Sequence, residues 1–150
     1  VYIAAFVADV DESVFGLAQS LPPAESSLAS AMVRNPDGLG FDIDPDRAGE
    51  TFYGECHPNA VAANVARLRT QTMASFLQPL TAAGWLSTPS TYLACTRDRA
   101  LAIDHQRILA ARCTSVTEID TDHSPFASRP AETADVIARV AATVTTGDTP

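Results

Sequence analysis

The chain has 150 residues, a length that suits one domain burying about 70% of its unfolded surface. Its 46% hydrophobic and 19% charged residues are a globular mix, and no apolar run approaches the ~18 residues of a membrane span. Eighteen acidic against ten basic residues give a net charge of -8, which repels phosphate backbones and argues against a nucleic-acid partner; every basic residue is an arginine, so no lysine serves as base or Schiff-base amine.

The first predicted element is a strand over residues 1–7, Val1-Tyr2-Ile3-Ala4-Ala5-Phe6-Val7, whose unbroken apolar run suits burial on both faces of a parallel sheet. It ends at Asp9-Val10-Asp11-Glu12, and the texture then changes until about Gly84. Within that middle stretch, Ala31-Met32-Val33-Arg34 and Gly40-Phe41-Asp42-Ile43 flank the turn cluster Asn35-Pro36-Asp37-Gly38, the pattern of a small hairpin. Asp44-Pro45-Asp46 starts a helix expected to stop at Gly54, because Asp caps free amides and Pro suits the first helical position. His57-Pro58-Asn59 opens another, with Val61, Val65 and Leu68 on one face and Arg67 and Arg69 near its end.

After Trp85 the β-forming run Ser90-Thr91-Tyr92-Leu93-Ala94-Cys95 predicts a second strand. A helix follows over residues 104–111 with Ile108 and Leu109 inward, then a weaker strand, Ser115-Val116-Thr117-Glu118-Ile119. A last helix starts at Pro130 with Val136, Ile137, Val140 and Val144 at helical spacing, and the tail from Thr145 is expected to fray. The order strand, helix, strand, helix specifies βαβ units and a parallel sheet, hence an α/β fold.

In open α/β sheets the reactive groups collect at the carboxyl ends of the strands. Asp98 follows the strand ending at Cys95, and His123 follows the one ending near Ile119. An acid after one strand and a histidine after the next can meet above the sheet, as the Asp–His half of a nucleophile–His–Asp triad. The competing reading makes Asp98 a solvated turn residue between Arg97 and Arg99, and His123 an exposed loop histidine. His57, at a helix start, is expected to be an N-terminal cap or simply exposed, and His105 to be solvated, with no metal-ligand partner at useful spacing for either. Cys56, Cys95 and Cys113 form no CxxC pair and read as small buried hydrophobes; Met32 and Met73 read as packing.

Several segments carry a resemblance: Phe52-Tyr53-Gly54-Glu55-Cys56, Ala66-Arg67-Leu68-Arg69-Thr70-Gln71, the run from Pro89 through Asp98 to Ala100, and His123-Ser124-Pro125-Phe126-Ala127-Ser128-Arg129-Pro130. Residues 52–129 resemble the α/β-hydrolase subfamily of hydroxynitrile lyases, plant methyl esterases and their bacterial esterase relatives. The resemblance implies the C-terminal part of one α/β-hydrolase domain, with a small inserted lid over about residues 12–85 and a core of about 1–11 and 86–150. It implies Asp98 as the triad acid and His123 as the base. The family's nucleophilic serine sits in a G-x-S-x-G elbow before the strand that opens this chain. No such motif occurs here, and neither Ser13 nor Ser124 lies on a strand-to-helix turn of that kind. The serine and the oxyanion donors are therefore expected upstream of Val1.

The expected activity is carboxylic ester hydrolysis on a small-molecule ester, with no cofactor, no metal, no nucleic acid and no membrane. A hydroxynitrile-type lyase and a non-catalytic ligand-binding protein on the same fold are the alternatives. In the plant lyases a Lys follows the catalytic His, where this chain has Ser124. A cytoplasmic location is expected, and pairing into a homodimer is left open.

Overall fold

The computed structural model describes the backbone of residues 1–146 and the side chains of residues 1–143; the tail beyond Thr146 lies outside the described residues. In chain order the elements are β1 (Tyr2–Ile3), α1 (Val14–Ser20), α2 (Leu28–Ala31), β2 (Met32–Arg34), β3 (Gly40–Ile43), α3 (Pro45–Phe52), α4 (Pro58–Val65), β4 (Gln71–Thr72), α5 (Met73–Leu77), β5 (Thr91–Cys95), α6 (Ile103–Ala110), β6 (Ser115–Ile119), α7 (Pro125–Ser128) and α8 (Pro130–Thr146).

They build two separate sheets. The first is parallel, in the order β1-β5-β6, with Tyr2 opposite Tyr92 and with Thr91 to Cys95 in step with Ser115 to Ile119. All five residues of β5 are buried, because helices cover both faces of a central parallel strand. Its alternating side chains divide the core in two. Tyr92 and Ala94 pack with Val7, Ala8, Leu101, Leu109 and Ala110, and Leu93 and Cys95 pack with Ala4, Ile119 and Val136 of α8. The α/β architecture read from the strand–helix alternation is the one observed.

The middle stretch forms its own antiparallel sheet, β2-β3-β4, beside the parallel one. The predicted hairpin is its first half. Gly38 has φ +72° at the turn, where an L side chain is strained, and Asn35 and Gly40 close the ladder with a 3.0 Å backbone bond. Gly40 is needed for another reason: a Cβ there would lie 2.7 Å from the Gln71 carbonyl on β4. Asp44 caps α3 by accepting from the Asp46 amide at 3.0 Å, and Tyr53 ends it one residue before Gly54.

Three local expectations are corrected. Only Tyr2 and Ile3 of the predicted first strand pair with β5, since Ala4 takes φ +43° and turns the chain out of the sheet. In the rest of that apolar run Ala4 and Val7 are buried, and Ala5 and Phe6 half-buried, by packing rather than by strand pairing. Helix α4 ends at Val65, so Arg67 and Arg69 lie past its last turn. Ile108, read as inward, is 47% exposed, because Leu109 occupies the buried stripe of α6. Among the described residues no helix is long and apolar enough to cross a membrane.

Candidate active site

Strand β5 ends at Cys95, and the chain turns back at once into α6. That turn, residues 96–102, is fastened to the end of β6 by a backbone bond from Thr96 to Ile119 at 3.0 Å and to the loop after it by one from Arg97 to Thr121 at 2.9 Å. The parallel pairing of β5 with β6 thus continues past the strands and brings the two loops together. Asp98 sits in the first and His123 in the second.

The Asp98 side chain is 0% exposed, yet four donors surround its carboxylate. The Ala100 and Leu101 amides donate to Oδ1 at 2.7 and 2.9 Å. The Gln106 carboxamide donates to Oδ2 at 2.9 Å, and His123 Nδ1–H donates to the same oxygen at 2.8 Å. A buried carboxylate without a cation is tolerable only when its oxygens are fully bonded in this way. The reading of Asp98 as a solvated turn residue is therefore corrected. Its arginine neighbours turn outward: Arg97 pairs with Asp120 and Glu55, and Arg99 pairs with Glu50. Among the described residues, His123 is the one titratable side chain that hydrogen-bonds to the Asp98 carboxylate.

The imidazole is held on other sides as well. The Phe52 ring at the end of α3 lies 5.3 Å from it, tilted by 48°. Asp122, buried and immediately before His123, is the fastening point of its loop. One carboxylate oxygen accepts from the Ser124 amide at 3.1 Å and the Ser128 hydroxyl at 2.8 Å. The other accepts from the Glu55 amide at 2.8 Å and the Cys56 thiol at 3.7 Å. The turn between α3 and α4 is thereby tied to the histidine loop, and Arg97 and Arg129 reinforce it through the Glu55 carboxylate at 3.3 and 3.9 Å. Beside this junction lies an open cleft of about 790 Å³, bordered by Tyr53, Glu55, Cys56, Arg97, Arg99 and Asp122.

Burial pushes the Cys56 thiol up to about 11, and the Asp122 charge acts in the same direction. Cys56 is thus a protonated donor rather than a nucleophile, and being only half-buried it also departs from the reading of it as a buried hydrophobe. Cys95 does fit that reading; its burial in β5 pushes the thiol to about 12. His57 caps α4, accepting from the Asn59 amide at 3.3 Å. His105, expected in solvent, is half-buried and donates from Nε2 to the Pro22 carbonyl at 2.6 Å.

Gln106, Asp122 and Phe52 carry no sequence-level assignment, although one signal for Gln106 was present. It falls three and four residues before Leu109 and Ala110, on the apolar stripe of α6, where an amide has to find polar partners. Its partners lie on the Asp98 turn and at the end of β5.

Comparison with known proteins gives a consistent picture. A model of the alpha/beta hydrolase family matches residues 1–136. The alpha/beta hydrolase nvfD of Aspergillus novofumigatus (strain IBT 16806) is 27% identical over 133 residues, covering 87% of this chain and 51% of the relative. The crystal structure of a pyrethroid hydrolase from Sphingobium faniae JZ-2 is similar at TM-score 0.70 and 23% identity, over 92% of this chain and 58% of that one. A methylesterase protein, MES16 from Arabidopsis, is similar at TM-score 0.66 and 20% identity, over 95% and 58%. The chain spans about half the length of the curated relative it matches and under two thirds of these solved structures.

Proposed function

The chain belongs to the alpha/beta hydrolase family, and from that premise we propose that it carries the acid and base of a Ser–His–Asp carboxylic ester hydrolase. The serine and the oxyanion donors would come from polypeptide upstream of these 150 residues. The observation that carries the reading is the 2.8 Å bond from His123 Nδ1–H to a fully buried, four-donor Asp98 carboxylate. That bond selects the tautomer with a bare Nε2, the nitrogen a serine hydroxyl would need as its base. As the serine oxygen bonds to the ester carbonyl carbon, Nε2 takes its proton. The imidazolium then hands that proton to the departing alcohol, and an acyl-enzyme remains. Water repeats the cycle, losing a proton to Nε2 while the acid is released and the serine is reprotonated. Asp98 stays ionised throughout and stabilises each imidazolium. Residues 12–85 would serve as a lid over this site, joined to it at Phe52, Glu55 and Cys56.

The test uses the natural polypeptide that contains these residues. His123→Ala and Asp98→Asn should each lower kcat on p-nitrophenyl acetate by about 10³–10⁴-fold with the fold intact, as losses within triads do. Unchanged turnover in either variant overturns the assignment. Mandelonitrile should be cleaved more slowly than the ester. A departing cyanide calls for a fixed positive charge, and Ser124 follows His123 in a chain without lysine.

A further inference from the structure

Two buried acids flank His123, and they hold it differently. Asp98 bonds the imidazole itself, whereas Asp122, 4% exposed, bonds the chain around it. The Asp122 carboxylate accepts from the Ser124 amide at 3.1 Å, the Ser128 hydroxyl at 2.8 Å, the Glu55 amide at 2.8 Å and the Cys56 thiol at 3.7 Å. All four donors are uncharged. An ionised carboxylate is an acceptor with room for about four such bonds, whereas a carboxamide in its place would turn its own N–H donors toward two of them. Four donors converging on one buried side chain therefore call for an acid, although burying the charge against neutral partners is costly.

The donors come from two distant parts of the chain. Oδ1 takes those of the histidine's own loop, Ser124 and Ser128. Oδ2 takes those of the turn between α3 and α4, Cys56 and Glu55, which are 66 and 67 residues away. A staple for the histidine loop would need only the first pair. The second pair fixes the end of α3, where Phe52 sets its ring 5.3 Å from the imidazole. One hydrogen bond from Nδ1 to Asp98 leaves the imidazole free to pivot about it, and the Phe52 ring closes one side of that swing. The same carboxylate thus sets both the backbone under the histidine and the ring beside it.

We propose that Asp122 is a positioning residue for the base: it locks the turn that carries Phe52 to the loop that carries His123, and so keeps Nε2 aimed at the nucleophile. The inference rests on the ester-hydrolase reading above. In the natural polypeptide, Asp122→Asn should lower kcat on p-nitrophenyl acetate by about 10–10²-fold with KM within about twofold, the pattern of a base held slightly out of line. The loss should run through Phe52. Phe52→Leu should also lower kcat, and adding Asp122→Asn to it should cost at least about threefold less than adding it to the wild type, whereas independent losses multiply. A second readout needs no turnover. The His123 Nδ1–H resonance should shift in Asp122→Asn, and shift less in the same direction in Ser128→Ala, which keeps the charge and removes one donor. A folded Asp122→Asn with wild-type kcat and an unmoved resonance, or losses that multiply, would overturn the proposal. If Asp122→Asn does not fold, wild-type kcat and resonance in Ser128→Ala overturn it. No hydrolysis by the wild type, with the resonance moved in the variants, would overturn the esterase reading and support the positioning role.

Discussion

Replacing Gln106 with Leu tests how the candidate acid is held. The side chain is fully buried, and its carboxamide closes the turn from β5 to α6 with four bonds. It accepts from the Cys95 amide at 2.9 Å and donates to Cys95 O at 3.2 Å, Leu101 O at 2.7 Å and Asp98 Oδ2 at 2.9 Å. Leu has similar volume, so the loss is one of polar partners rather than of packing. The Cys95 N–H is left without the Gln106 acceptor at about 1–3 kcal/mol, and a buried carboxylate loses a donor at about 1.5–3 kcal/mol. The sum, about 2.5–6 kcal/mol, is a large share of a domain's stability and corresponds to a fall in Tm of roughly 5–24 °C. Thermal unfolding followed by circular dichroism measures it. The His123 Nδ1–H resonance should broaden or shift in the folded variant, because Asp98 Oδ2 is its acceptor. Gln106→Glu adds a sign. It puts a new carboxyl beside the Asp98 carboxylate, and the like charge raises the folded-state pKa of the introduced Glu above its unfolded value, so the variant's deficit should be small near pH 4 and grow toward pH 7. A Tm within about 2 °C of wild type for Gln106→Leu, with an unmoved His123 resonance, would refute the reasoning.

Other expectations follow from the same contacts. The Cys56 proton, held up to about pH 11 against an ordinary value of 9.0, should make iodoacetamide labelling of the folded protein slow at pH 8 and faster in Asp122→Asn. Because that folded pKa is raised, its contribution to stability is present below pH 9 and is lost between about pH 9 and 11, a loss that Cys56→Ser should abolish in urea titrations across that window. Arg112 holds the Glu12 carboxyl below its usual range, first by hydrogen bonding. Glu12→Gln should therefore cost about 0.5–1 kcal/mol at pH 7, discounted for a half-exposed pair, and the difference from wild type should vanish as acid protonates Glu12. Gly40→Ala should push β4 off β3, since its Cβ would also meet Thr70 Cγ2 at 2.9 Å; faster amide exchange confined to β3 and β4 would show it, and unchanged exchange would count against it.

How much of this was legible beforehand follows from the range of each interaction. Strand β5, the Asn35–Gly38 turn and the caps of α3 and α4 are written in neighbouring residues, because propensity, turn chemistry and capping act over a few positions. The parallel order of the strands followed from the helices between them. Asp98 and His123 could be singled out because each follows a strand, and position after a strand is itself a local property. What the sequence could not say is what surrounds them. Residues 4–7 leave the sheet because Ala4 turns into the left-handed region, against its own preference. Ile108 and Leu109 are adjacent and so lie about 100° apart around α6, and only the way that helix packs on the sheet decided that Leu109 is the one buried. The four donors on Asp98, the Phe52 ring against His123 and the tie from Asp122 to Glu55 and Cys56 join residues up to 71 positions apart. A buried carboxylate demands donors, but only the folded chain decides which ones arrive.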